Sequence, residues 1–146
     1  GGRISVEDAI SICATESRCN PRAECNTKGT LSCGVFQVSK GAVCQVYRSS
    51  ECDGLWEKAQ NDPVENAKVG VRYLDYSYKV AERYKTKYGS ELEDINTKDL
   101  AFMIYNRGPG AVEKIIKNKW GIPGSYMEYP GNVEKFRKGI QISSNR

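Results

Sequence analysis

Histidine is absent from the 146 residues, and with it go the Ser-His and Cys-His forms of nucleophilic catalysis, which need an imidazole as base. A protease or isopeptidase reading is left with the rarer Ser-Lys arrangements and ranks last. No Cys-x-x-Cys pair occurs either; with no histidine beside it, the usual zinc-ligand spacing is missing, so neither a metal nor a cofactor is expected. No apolar run reaches the length that spans a bilayer. No dense basic run with interleaved aromatics is present, which makes nucleic acid the weakest of the specific partners. No basic-then-apolar leader opens the chain, which therefore reads as a processed form or as one in which Gly1-Gly2 is a cloning scar.

Cysteine is also missing from everything after Cys52, and this absence makes the remaining ones informative. Cys13, Cys19, Cys25, Cys33, Cys44 and Cys52 form an even, clustered set, read as three disulfides formed in an oxidising, secreted or periplasmic compartment. Sequence alone does not choose among the pairings that six cysteines permit. Bridges would restrain the loop-rich N-terminal third, and Cys13 and Cys19 bracket Glu16. The length and the composition, 39% hydrophobic and 27% charged, fit one ordinary globular domain over 1–146, expected to be monomeric. The net charge of +4 is uneven: from Arg107 onward eight cations face three carboxylates. Such a surface attracts polyanions, the acidic polymers of a bacterial wall among them, although solvated helix faces account for it equally well.

The periodicity is mainly helical. Ser5-Val6-Glu7-Asp8 can cap a first helix with Val6, Ala9, Ile10 and Cys13 on one face, stopped by Asn20-Pro21. Residues 22–32 read as a loop or short hairpin, and a second helix is expected from Phe36 or Ser39 to about Tyr47. Asp62-Pro63-Val64-Glu65 starts a long third helix with Ala67, Val71, Leu74, Tyr78, Ala81 and Tyr88 on its apolar face, ended by Gly89 and expected to be central. Thr97 can cap a fourth, broken at Gly108-Pro109-Gly110; a fifth runs from Ala111 to Trp120, and a last from about Asn132 to Ile140. Glu16, one turn beyond Cys13, would face protein. A carboxylate at the end of a helix, with Gly34-x-x-Gln37 and Tyr105-Asn106 available around it, suits protonation of a glycosidic bond.

The order of four motifs carries a resemblance. Glu16-Ser17 before Asn20-Pro21, then Gly34-Val35-Phe36-Gln37, then Asp62-Pro63-x-x-Asn66 with Gly70-x-x-Tyr73-Leu74, then Tyr105-Asn106-x-Gly108-Pro109-Gly110 resembles the soluble lytic transglycosylase and goose-type lysozyme superfamily, from about Val6 to Val133. Glu16-Ser17-Arg18-Cys19 and Leu31-Ser32-Cys33-Gly34 also look like invertebrate-type lysozymes, over the N-terminal third only.

The resemblance implies a mainly α, lysozyme-like domain with a disulfide-stabilised N-terminal third and little or no β structure. Its expected substrate is peptidoglycan or a related N-acetylated β-1,4 glycan. Glu16 would be the catalytic acid, its neutral form favoured by burial against apolar neighbours such as Phe36 and Tyr105. Gly34, Phe36, Gln37, Ser39, Tyr105 and Asn106 would contact substrate. Without the companion motifs, Glu16 is an ordinary helix-end carboxylate paired with Arg18 or Arg22. Gly34 is then a helix start and Tyr105 a core residue. Trp56 and Trp120 could stack on sugars, but single tryptophans are more often packing.

The departures bear on the reaction. Goose-type enzymes carry aspartates in the loop before Gly-x-x-Gln and just after it; this chain has Lys28 and Ser39 there. The aspartate of the invertebrate type is replaced by Asn26, Thr27 and Lys28. A lone glutamate resembles the transglycosylases, which form an anhydro-sugar product with help from the substrate's own groups; their usual loop serine could be replaced by Thr27 or Thr30. Hydrolysis would need Glu24, Asp53 or Asp62 as a second acid. The family's late glutamate-led segment is only loosely echoed by Tyr126, Glu128, Tyr129 and Val133. Two further readings are a catalytically silent wall- or chitin-binding module and a chitinase-type hydrolase.

Overall fold

The computed structural model describes residues 4–118 and 121–144; Trp120 lies outside them. Backbone packing divides the chain inside its longest described helix, giving one compact unit, Ser5–Tyr73, and a second that holds Ile4 and the described residues from Leu74 onward.

The first unit begins with α1 (Val6–Ser17), and the expected start signal is present. Ser5 N–H donates to Asp8 Oδ2 at 3.0 Å and Asp8 N–H to Ser5 Oγ at 3.1 Å, a reciprocal capping box. The buried face differs from the expected one. Asp8, Ser11, Ile12 and Cys13 are buried, whereas Val6 is 74% and Ile10 42% exposed. The capping box turns the Asp8 carboxylate back onto the Ser5 amide, and the Ser11 hydroxyl donates to Glu7 O at 2.6 Å. Both polar groups thus enter the interior already hydrogen-bonded. The helix also stops earlier than Asn20-Pro21. Arg18 and Cys19 both take left-handed φ of 56°, and Arg18 N–H caps the carbonyls of Ala14 and Cys13.

Residues 22–32 are mostly loop, with an isolated bridge from Asn26 to Ser32. Strands β1 (Ser32–Cys33) and β2 (Val38–Ser39) pair antiparallel, Ser32 with Ser39 and Cys33 with Val38. Ser39 then caps α2 (Lys40–Tyr47), its Oγ accepting from Ala42 N–H at 3.1 Å. Helix α3 (Asp53–Asn61) was not expected. Its first residue follows Cys52, which makes no side-chain cap bond, and only Ala59 is fully buried, so neither a cap nor an apolar stripe announced it. Asp62 starts α4 (Pro63–Tyr88) as read, its Oδ1 accepting from Val64 N–H at 2.9 Å. The buried seam of α4 runs through Asn66, Val69, Leu74, Ser77, Val80 and Ala81, while Val71 is exposed, a correction to the expected face.

In the second unit, Gly89–Leu92 makes a single tight helical turn, and α5 spans Thr97–Arg107 with Asn96, not Thr97, at its cap. Leu100 through Tyr105 are buried without interruption. A helix apolar all round belongs inside, and α5 is buried against Val80, Ala81 and Tyr84 of α4 in this unit's core. Each of its fully buried large side chains contributes about 1.5–3 kcal/mol. It packs against α6 (Pro109–Lys117) and α7 (Gly124–Ser144). Helix α6 starts at Pro109, before the expected Ala111. Helix α7 starts well before Asn132 because Pro130 is carried inside it. That proline removes one amide donor, and the packing on α5 holds the helix together across it. Among the described residues the fold is therefore seven α-helices with one two-stranded sheet, and no described helix is long and apolar enough to cross a membrane.

The disulfides join sequence neighbours: Cys13–Cys19, Cys25–Cys33 and Cys44–Cys52. A loop of eight residues closed by Cys44–Cys52 is worth about 2.5 kcal/mol in the chain-entropy model. The Cys44→Ala, Cys52→Ala double variant is therefore expected to lower the unfolding free energy by about that amount, read from urea unfolding.

Candidate active site

Glu16 occupies the last turn of α1 and is half-buried. Its neighbour Ser17 ties this helix end to the Gly34–Gln37 turn. Ser17 Oγ donates to Val35 O at 2.7 Å and accepts from Asn20 N–H at 3.2 Å. The Cys13–Cys19 bridge closes the chain around the same turn, with Cys19 N–H donating to Cys13 O at 3.0 Å.

The turn itself is built on Asn66. The Asn66 side chain is buried, and its Nδ2 donates to Cys33 O at 2.8 Å and Ala59 O at 2.9 Å, while its Oδ1 accepts from Phe36 N–H at 2.9 Å. Gly34 has φ of +83°, and a Cβ there would lie 2.2 Å from Asn66 Nδ2. Only glycine fits both the conformation and the space. The space that a side chain at 34 would need is therefore filled by Asn66. Phe36 is buried with its ring against Gly70, where a Cβ would come within 2.3 Å of Phe36 Cγ.

Gln37 takes a left-handed φ of 48°. Its Nε2 donates to Gly34 O at 2.8 Å and Glu24 O at 2.9 Å, stitching the preceding loop to the turn. Ser39 is half-buried and spends its hydroxyl on the α2 cap. The three candidates for a second acid are differently employed. Glu24 is exposed, Asp53 is paired with Lys40, and Asp62 caps α4. The hydrogen bond and charge of Lys40 hold the Asp53 carboxyl below its ordinary range. Trp56 on α3 is half-buried.

In the second unit, Tyr105 is 8% exposed and Asn106 is exposed, both in the last turns of α5. Gly108, with φ of +89°, ends that helix and its N–H donates to Ile104 O at 2.7 Å. The following Pro109 carbonyl accepts from Tyr84 OH at 2.9 Å. Arg107 lies over the Tyr126 ring at 4.2 Å. Sequence reasoning placed Ser17, Asn66 and Gly70 in the motifs but gave them no part in the site. The available signal was their spacing within those motifs; the bonds from Ser17 to Val35 and from Asn66 to Phe36 and Cys33 span 18 to 33 residues.

The model of the family described as Transglycosylase SLT domain matches residues 2–124. No curated protein and no solved structure matches the chain.

The Asn66 amide predicts a polarity effect at constant shape. In Asn66→Asp an oxygen replaces the Nδ2 that faces two carbonyls, so two acceptors lose their donor. The expected loss is about 3 kcal/mol of unfolding free energy, measured by denaturant titration.

Proposed function

We propose, from the premise that the chain belongs to the Transglycosylase SLT domain family, that it cleaves β-1,4 glycosidic bonds of peptidoglycan with Glu16 as sole acid and base. At the level of the family, the activity is of the peptidoglycan lytic transglycosylase type. The observation that supports Glu16 most directly is the 2.7 Å bond from Ser17 Oγ to Val35 O. It holds the helix end beside a turn that Asn66 has already fixed, and a proton donor gains most from a fixed position.

In this reading, protonated Glu16 gives its proton to the bridging oxygen as the bond from that oxygen to the anomeric carbon breaks, leaving an oxocarbenium-like sugar. The carboxylate then takes the proton from the hydroxymethyl group of the same sugar, whose oxygen attacks the anomeric carbon and closes an anhydro ring. The proton removed replaces the one given, so Glu16 ends as it began. Transglycosylation rather than hydrolysis is favoured because Asp53 and Asp62 are engaged by Lys40 and by the α4 amides. Gly34, Phe36, Gln37 and Ser39 are assigned chiefly to shaping the wall of the site. Tyr105 and Asn106 are assigned to substrate contact on the motif match. Three disulfides fit a secreted or periplasmic setting.

Glu16→Gln keeps the shape and removes the transferable proton. The expected result is loss of at least about a thousandfold in glycan cleavage with an unchanged melting temperature. Mass spectrometry of wild-type products should show anhydro ends on the muramoyl sugar. Reducing ends alone would overturn the transglycosylase reading, and binding without any product would identify a silent wall-binding module.

A further inference from the structure

Two helices of the second unit meet at a single residue. Helix α5 ends at Arg107 and α6 begins at Pro109, so Gly108 alone makes the change of direction. It does so at φ of 89° and ψ of 150°, a conformation that is essentially glycine's own. A Cβ there would meet nothing within 4 Å, so backbone preference rather than crowding calls for glycine. Glycine reaches many other conformations as readily, and by itself it does not fix the angle at which α6 leaves α5. That angle matters for the pair assigned to substrate contact, because Tyr105 and Asn106 stand just before the junction and Asn106 is exposed.

Val112 and Ile116 are buried in the core of the unit. Their burial draws α6 inward without choosing its rotation, since hydrophobic burial is non-directional. The directional contacts come from the end of α4. Tyr84 OH donates to Pro109 O at 2.9 Å, and Tyr88 OH donates to Glu113 Oε2 at 2.8 Å. Donors and acceptors are each four residues apart, so one face of α4 holds one face of α6, turn for turn. Lys87 Nζ joins the same Glu113 oxygen at 3.3 Å. The two tyrosine rings meet edge to face with centroids 6.1 Å apart, and Tyr84 is buried; both hydroxyls are thereby aimed in advance. Burial, and after it the charge of Glu113, pushes the Tyr84 phenol above its ordinary range, which keeps it a donor. Across the junction, the Arg107 guanidinium lies 4.2 Å from the Tyr126 ring centroid and ties the end of α5 to the start of α7. Of the bonds from α4, the one from Tyr84 falls on the first residue after the hinge.

We propose that Tyr84 is a positioning residue for the Tyr105-Asn106 pair: its hydroxyl, through the Pro109 carbonyl, sets the direction of the Gly108 junction and so where the end of α5 presents Asn106 to the glycan. Tyr88 supports it one turn further on through Glu113. Neither tyrosine is assigned a contact with sugar. The substrate contact of Asn106 rests on the proposed function, whereas the bonds that hold the junction do not.

The test is a double-mutant cycle on the intact protein, with soluble, uncrosslinked glycan strands of peptidoglycan as substrate. Tyr84→Phe removes the hydroxyl and keeps the ring. It is expected to raise KM about fivefold, the size of one misplaced hydrogen bond, with kcat held within about twofold. In an Asn106→Ala background the same change should leave KM unmoved, because the group it positions is gone. Tyr88→Phe should raise KM about twofold in the same cycle, and it decides the matter if Tyr84→Phe does not fold. A tyrosine with a structural role alone would lower the melting temperature and the active fraction at constant KM, or would act in full on top of Asn106→Ala; either result overturns the proposal. If the wild type binds these strands without cleaving them, the proposed function fails, and the same cycle read as dissociation constants decides the positioning role. A wild type that neither binds nor cleaves them overturns both.

Discussion

One buried amide holds the Gly34–Gln37 turn of the first unit in place. Asn66 stands on α4, yet its three hydrogen bonds go to β1 at Cys33, to α3 at Ala59 and to the turn at Phe36. Both of its N–H donors and one acceptor direction of its oxygen are spent on main-chain groups that would otherwise be buried and unmet, a costly condition. Gly34 vacates the volume that the amide fills. Once the turn is fixed, its Val35 carbonyl becomes a fixed acceptor, and Ser17 uses it to fix the end of α1. The end of α1, which carries Glu16, is thus held to the turn by a relay of hydrogen bonds through Ser17 and Asn66.

The disulfides do different work. Each closes a loop of six or eight residues, so each stiffens a stretch of chain that is already local. None joins α1 to the Gly34–Gln37 turn, or that turn to α4. Those longer connections are made by Ser17 and Asn66. The covalent bridges limit the freedom of the unfolded chain, and the buried polar bonds choose the arrangement of the folded one. A small unit with few large apolar side chains needs both, because hydrophobic burial alone is non-directional.

The helical architecture was legible wherever caps announced it. Ser5 with Asp8, Ser39 before Lys40, and Asp62-Pro63 each mark a start that local sequence determines. The failures came where tertiary packing overrode a local signal. The last helix was expected only from about Asn132, but α7 starts at Gly124 and runs through Pro130 while packed on α5. Val6 and Ile10 read as core, but α1 buries Asp8 and Ser11, with Asp8 Oδ2 bonded to the Ser5 amide and the Ser11 hydroxyl to Glu7 O. Helix α3 gave neither a cap nor a stripe. The motif order pointed to Glu16 and Gln37, and the geometry adds the bonds of Gln37 to Gly34 and Glu24 and of Ser17, next to Glu16, to Val35. Asn66 and Gly70 were visible as spacing only, since their meaning lies in contacts with Gly34 and Phe36 some thirty residues away.

Charge count and charge placement also part company in the second unit. The basic C-terminal quarter includes Arg107, which covers Tyr126, and Arg137, which reaches Glu134; Glu113 is held by Tyr88 and Lys87 and kept below its ordinary range, the Tyr88 hydrogen bond first. The cations that remain in open water are chiefly Lys114, Lys117, Lys135 and Lys138. Dispersed lysines of this kind attract a polyanion over roughly a Debye length without fixing its orientation.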